Sequence, residues 1–188
     1  MTDPFRVLVV GVGNISRSPL VERHLRYQLD QALGDAAGAV QVSSAGARAV
    51  SGAIMSVPAA LELERLGGTP NGFAARQLTR ELMREADLVL TATRALRSRV
   101  LEDEPAALRR TFTVREFAGL SQLPLSAGTP QSFVAEAAAR RWAADPDACD
   151  LPDVDGASRR RHREAADRIA EDCHTITLVW SQLLVPTT

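Results

Sequence analysis

The sequence near the start of the chain runs Arg6-Val-Leu-Val-Val10 and continues as Gly11-Val-Gly-Asn-Ile-Ser-Arg-Ser18. The first part is a β-branched apolar run, which is typical of a strand buried on both faces. The second part is a polar, glycine-bearing turn. Such a turn between a strand and a helix is a common setting for an anion-binding loop, because unpaired backbone N–H groups at a helix start point towards the ligand.

The residues after this turn predict the helix. Val21, Leu25 and Leu29 recur every four residues and form one apolar helix face. Ser18 is of a residue type that caps helices, and Pro19 suits the first helical turn. Local residues alone therefore predict the order strand, loop, helix.

The rest of the chain repeats this alternation of short apolar runs and longer amphipathic segments. Further strands are predicted at residues 40–44, 87–91 and 110–113. Further helices are predicted at residues 58–66, 79–85, 94–102, 132–144 and 158–184. This alternation predicts an α/β fold, a doubly wound three-layer sandwich with a four-stranded parallel sheet, as one domain over residues 1–188. Ligands of such folds bind at the carboxyl ends of the strands, where residues 11–18 lie.

Composition and charge limit the classes of function. The chain has 188 residues, of which 45% are hydrophobic and 24% charged, and its net charge is −1. A nucleic-acid-binding surface usually appears as a basic excess, so nucleic acid is not expected as a partner. The two cysteines imply no disulfide framework, and no apolar run is long enough to span a membrane. We expect a cytoplasmic protein that needs no cofactor and no metal; the oligomeric state stays open.

Three phosphate-binding motifs compete for the loop. A dinucleotide fingerprint fits Gly11 and Gly13, but its third glycine is Ser16, and the second strand ends without an acidic residue for a ribose. A Walker loop needs glycine and lysine where Ser16 and Arg17 stand, so it is excluded. The loop of cysteine-based phosphatases has a cysteine, five residues, an arginine and a serine or threonine. Counting back from Arg17 places Gly11 at the position of that cysteine.

The segment Gly13-Asn-Ile-Ser-Arg-Ser-Pro19 resembles the signature of the low-molecular-weight protein tyrosine phosphatase family. The resemblance covers most of the chain in the family's order, through Ser44-Ala-Gly46, Ala75-Arg-Gln-Leu-Thr79, Ala86-Asp-Leu-Val-Leu90 and Asp150-Leu-Pro-Asp153. It implies the phosphotyrosine protein phosphatase I-like fold and a degenerate member in which Gly11 replaces the cysteine nucleophile.

The resemblance also implies roles for the loop. The fork of Arg17 would bind two phosphoryl oxygens, which lysine cannot do. Asn14 would hold a strained turn, because asparagine tolerates the left-handed region. Ser18, without a thiolate to contact, would serve as the helix N-cap. The expected phosphate-binding residues are Val12, Gly13, Asn14, Ile15, Ser16, Arg17 and Ser18.

Asp153 falls where the family keeps its general acid. The family pattern Asp-Pro-x-Gly reads Asp153-Val-Asp-Gly156 here, so a stiffening proline is absent, and a solvated acidic loop is an equal alternative. Phe73 stands where many relatives carry a loop-supporting histidine. Val154 and Asp155 replace an aromatic wall.

The three histidines and Cys149 are not expected to take part in catalysis or anion binding. His24 is predicted on the surface of the first helix, and His162 and His174 on solvated faces of the last one. Cys149 lies close in sequence to the acidic segment, and a structural role is favoured over catalysis.

Two classes of function follow from Gly11. Glycine excludes covalent catalysis at that position. The chain is therefore predicted to be a pseudophosphatase that binds phosphate, or a phosphorylated protein or small molecule. The alternative is an enzyme that uses the anion loop and Asp153 without a covalent intermediate.

Overall fold

The four predicted strands form one sheet. The structure is a computed structural model that describes residues 3–124, 126 and 128–184. The strands are β1 Phe5–Gly11, β2 Val40–Gly46, β3 Leu88–Thr91 and β4 Thr111–Thr113. They are all parallel and lie side by side in the order β2, β1, β3, β4, which confirms the predicted α/β fold.

The central strand β1 is apolar because helices cover both sides of the sheet. Val7 and Val9 are each 1% exposed and Leu8 is 2% exposed, although consecutive side chains point to opposite faces. In the register with β2, Gly11 lies opposite Gly46, so both strands end at the same level.

Seven α-helices within the described residues complete the three layers. They are α1 Arg17–Leu33, α2 Val57–Arg65, α3 Arg80–Glu85, α4 Arg94–Asp103, α5 Val114–Leu120, α6 Pro130–Ala139 and α7 Arg159–Leu184. Helix α1 packs against α7 and β2, whereas α3 packs against β1, and α4 packs against β3 and β4. Within the described ranges, none of the helices is long and apolar enough to cross a membrane.

The predicted helix at residues 132–144 differs in the structure. Helix α6 begins at Pro130 and ends at Ala139, because Thr129 caps it and its hydroxyl accepts the backbone N–H of Ser132 at 3.1 Å. A separate short 3-10 turn follows at Arg141–Ala143. The helix ends because the backbone leaves helical geometry at Arg140, with φ −102° and ψ 14°. The first residue of the 3-10 turn then donates from Nη2 to the carbonyl of Thr111 at 2.7 Å, a contact with the edge strand β4.

The strand order locates the crevice in which ligands bind. Strand β1 has β2 on one side and β3 on the other, so the crossovers that leave these strands run in opposite directions. Folds of this kind bind ligands at that switch point, at the carboxyl ends of the strands. The loop between β1 and α1 lies there.

Candidate anion-binding site

The carbonyl groups of the loop between β1 and α1 are bound by the segment after β2. Ala47 N donates to the carbonyl of Gly11 at 2.9 Å, and Arg48 N donates to that of Val12 at 2.8 Å. Ser56 N donates to the carbonyl of Ile15 at 2.7 Å. These bonds fix the backbone of the loop at three points.

The N–H groups of the same loop are left unpaired. The backbone N–H groups of residues 12–18 donate no hydrogen bond to any acceptor in the described part of the chain. The segment ends in the first turn of α1, where the helix dipole adds positive potential. A run of free N–H groups at a helix start is suited to hold an anion.

Asn14 holds the turn of the loop. Its φ of 56° lies in the left-handed region, as expected from the sequence. Its Nδ2 donates to Ser18 Oγ at 3.2 Å and to Ser44 Oγ at 2.8 Å, and its Oδ1 accepts the N–H of Arg76 at 2.9 Å. Because Asn14 is 1% exposed, these bonds are shielded from water and hold the strained conformation.

A second set of residues supports Ser44. Its hydroxyl donates to Glu22 Oε2 at 2.5 Å, and its carbonyl accepts a hydrogen bond from Arg76 Nε at 2.7 Å. The Glu22 carboxylate also lies 3.5 Å from Arg26 Nη1, so this buried charge is paired. Sequence reasoning did not assign these roles. Two features of the sequence could have indicated them: Glu22 is a carboxylate on an apolar helix face, and Arg76 lies inside the motif Ala75-Arg-Gln.

Gly46 is needed where β2 meets the loop. A Cβ atom on this residue would lie 2.7 Å from the carbonyl oxygen of Val12 and 2.9 Å from the nitrogen of Asn14. Both contacts are with backbone, which cannot turn away as a side chain can. Gly46 therefore permits the close approach that lets the loop dock on β2.

Ser18 fills the space beside Gly11. A Cβ atom built on Gly11 would overlap Ser18 Oγ and lie 3.0 Å from Ser18 Cβ. The expectation that Ser18 caps the helix is wrong, because α1 begins at Arg17 with Ser16 as its N-cap residue. The Asn14 amide binds the Ser18 hydroxyl instead, while Ser16 Oγ lies 2.9 Å from Ser56 Oγ and makes no capping bond.

Arg17 lies at the end of the loop beneath the acidic segment. Its Nη2 lies 3.6 Å from Asp153 Oδ1, and the side chains are 19% and 72% exposed, respectively. Its Nη1 is 3.5 Å from the carbonyl of Leu151, whose N–H donates to the carbonyl of Ala92 at 2.9 Å. This last bond ties the acidic segment to the end of β3 and brings Asp153 to the mouth of the loop.

The segment after Asp153 does not build a wall for an aromatic ring. Val154 is 6% exposed and lines a small internal cavity with Ser16, Arg17 and His162. Asp155 is exposed, and its N–H lies 3.4 Å from Asp153 Oδ1. His162 is accordingly half-buried behind the loop rather than on a solvated face, whereas His174 is exposed as predicted.

His24 and Phe73 are both buried. His24 was predicted on the surface and is 3% exposed; its Nε2 contacts Gln28 Nε2 at 2.7 Å, and burial lowers its pKa. Helix α7 covers that side of α1, which the sequence period of α1 alone does not reveal. Phe73 is 8% exposed and packs under the guanidinium of Arg23, 5.6 Å from the ring centre.

The surroundings of Cys149 indicate a structural role rather than a catalytic one. It is 5% exposed, its Sγ contacts the carbonyl of Asp145 at 3.0 Å, and its own carbonyl accepts a hydrogen bond from Thr113 Oγ1 at 2.6 Å. Burial raises the pKa of the thiol, which disfavours the reactive thiolate.

Comparison with known proteins accounts for this architecture. Residues 6–124 match the family model described as low molecular weight phosphotyrosine protein phosphatase. The chain is 30% identical over 113 residues to a low molecular weight protein-tyrosine-phosphatase of Acinetobacter johnsonii, covering 60% of this chain and 74% of the relative. It is 33% identical over 114 residues to a protein-arginine-phosphatase of Geobacillus stearothermophilus, covering 61% of this chain and 72% of the relative.

A solved structure extends the similarity over nearly the whole fold. The arginine phosphatase YwlE from Geobacillus stearothermophilus superposes with a TM-score of 0.71 at 26% identity, covering 98% of this chain and 99% of that chain. The chain therefore belongs to the low molecular weight phosphotyrosine protein phosphatase family.

Proposed function

We propose that the protein is a pseudophosphatase, which binds a phosphate group of a phosphorylated partner in the loop and does not hydrolyse it through a phosphocysteine. The observation that carries this proposal is Gly11 at the start of a loop whose other parts are in place. The loop has free N–H groups at residues 12–18, and Arg17 lies at its end. An arginine fork together with free N–H groups is a suitable binding site for a phosphate dianion.

The two serines of the loop do not supply a replacement nucleophile. The Ser16 hydroxyl is paired with that of Ser56 at 2.9 Å. The Ser18 hydroxyl is buried and accepts a hydrogen bond from the amide of Asn14, which is not a base. A serine hydroxyl needs an adjacent base to act as a nucleophile, so binding is favoured over covalent catalysis.

Titration calorimetry and a hydrolysis assay test the proposal together. Phenyl phosphate, phosphoarginine and inorganic phosphate should be titrated separately, because the named relatives act on either phosphotyrosine or phosphoarginine proteins. We expect saturable binding of at least one phosphate monoester or phosphoramidate, together with no burst of phenol and no turnover of aryl phosphate. A protein that binds none of the three ligands at millimolar concentration would contradict the proposal, and so would a phenol burst.

The second candidate is an enzyme that activates water directly over the loop. The observation in its favour is the distance of 3.6 Å between Arg17 Nη2 and Asp153 Oδ1, because a general acid or base must lie near the bound ester.

Asp153→Asn separates the two candidates. For a binding protein, this substitution should leave phosphate affinity unchanged or slightly raise it, because one negative charge near the dianion is removed. Asp155→Asn is the matched control, since it removes the same charge from an exposed neighbour two residues away. If the unmodified protein turns over aryl phosphate and Asp153→Asn alone lowers that rate more than about tenfold, the enzyme is favoured.

A further inference from the structure

A large cleft lies beside the anion loop, on the α3 and α4 side of the sheet. It has a volume of about 540 Å³ and shares Val12 with the loop. Arg48, whose N–H binds the carbonyl of Val12, lies at the same end. From there the cleft continues between α3 and α4 towards Asp103. The cleft therefore adjoins the loop at Val12.

The charges of the cleft are unevenly distributed along its length. Exposed Arg48 and Arg80 lie at the end near the loop, and neither guanidinium is within 4.0 Å of a carboxylate of the described residues. Arg99, farther along, lies 3.2 Å from Glu102. At the far end Glu104 is paired with a neighbouring arginine at 2.8 Å, and exposed Asp103 has no arginine of the described residues within 4.0 Å. Unpaired positive charge is therefore concentrated next to the loop, although the whole chain has a net charge of −1.

The floor of the cleft is apolar. Met83 and Val100 are each 2% exposed and Leu96 is 7% exposed, so their side chains belong to the core and present only a small surface to the cleft. A volume of this size with an apolar lining and a few charged groups is typical of a ligand site. Charged rims and apolar floors also occur where proteins bind peptide segments.

The surface around the loop favours a protein over a small molecule. Val50 and Ile54, in the segment that holds the loop, are each 75% exposed, and Ile15 within the loop is 39% exposed. Exposed apolar side chains grouped around a binding site are typical of a protein interaction surface.

We propose that the cleft binds acidic residues next to the phosphorylated residue of a protein partner. This inference rests on the proposed function, because the phosphate in the loop would hold the segment in register. Carboxylates of the segment would pair with Arg48 and Arg80, and a neighbouring apolar side chain would cover Met83 and Val100. Charge complementarity then selects the partner and speeds its association.

Phosphotyrosine peptides with different flanking residues test this inference. Two series should be compared by fluorescence anisotropy, one with glutamates and one with lysines around the phosphotyrosine. We expect the glutamate peptides to bind at least about tenfold more tightly at low salt, and this ratio to shrink as salt is raised. The double variant Arg48→Glu, Arg80→Glu should abolish or invert the ratio.

Arg109→Glu is the matched control, because it makes the same charge change at an exposed arginine in the turn before β4 that does not line the cleft. It should keep the preference for glutamate. Equal affinities for the two peptide series, or an equal loss of preference in the control, would overturn the inference. The inference is also overturned if the affinity for tripolyphosphate depends on Arg48 and Arg80 while the affinity for the peptides does not. The cleft would then bind a small polyanion.

Binding of phenyl phosphate distinguishes a failure of the cleft inference from a failure of the proposed function. If it binds to the unmodified protein while the flanking charge has no effect, the cleft inference fails and the proposed function stands. If no phosphopeptide binds and none of phenyl phosphate, phosphoarginine and inorganic phosphate binds either, both fail.

Discussion

Replacing Gly11 with cysteine should produce an aryl phosphatase activity that the unmodified protein lacks. The thiolate would attack phosphorus, the aryl oxygen would leave with a proton from Asp153, and water would then hydrolyse the phosphocysteine. The positive end of α1 and the guanidinium of Arg17 should lower the pKa of the new thiol. Removal of the nucleophile slows a well-studied protease about a millionfold, so we expect a gain of at least about a thousandfold over the control.

The control is Gly11→Ala, because both substitutions add a Cβ atom in the space that Ser18 now occupies. That atom overlaps Ser18 Oγ, so the hydroxyl must rotate and give up its 3.2 Å hydrogen bond from Asn14. Overpacking of this kind costs about 1–3 kcal/mol of the free energy of unfolding. Denaturant titrations should show a similar loss of stability in both variants, and only the thiol variant should release phenol.

The activity of Gly11→Cys should remain below that of a full family member. The sequence resemblance implies that Phe73 and Val154 replace a supporting histidine and a loop proline, so Phe73→His and Val154→Pro should raise the rate further and non-additively. The decisive observation is a burst of phenol measured between pH 5 and 8. A folded, anion-binding Gly11→Cys protein with neither burst nor turnover would show that the loop has diverged beyond its nucleophile.

Arg17→Ala should abolish most of the binding of phosphate. The guanidinium is the cation at the loop itself, and its side chain is only 19% exposed, so its bonds to a dianion would form in a poorly solvated site. Truncating one partner of such a charged pair costs about 3 kcal/mol, or roughly a hundredfold in Kd. Arg17→Lys should recover part of the loss, because lysine keeps the charge without the planar fork.

Calorimetry against phosphate measures this effect, and circular dichroism shows whether the variant is folded. Arg115→Ala is a suitable control, since its side chain is 22% exposed and contacts Asp172 at 3.8 Å, outside the loop. It should bind phosphate as the unmodified protein does. Equal affinities in Arg17→Ala and Arg115→Ala would mean that the loop does not hold the anion through its arginine.

Residues close together in sequence determine the loop and the sheet. A β-branched run forms a buried strand, and the glycines, Asn14 and the start of α1 fix the backbone that follows, because these preferences depend on neighbouring residues. Hence the sheet, the position of Gly11 and the left-handed conformation of Asn14 follow from the sequence. The family signature lies in the same short segment, which is why the family can be identified from it.

Tertiary packing decides which distant groups reach this loop. Asp153 lies over Arg17 because a backbone hydrogen bond ties Leu151 to Ala92. The Ser44 hydroxyl donates to Glu22 and accepts from Asn14, which joins α1, β2 and the loop, and the Asn14 amide also donates to the Ser18 hydroxyl beside Gly11. Such contacts depend on how helices and strands pack, and no local pattern encodes that.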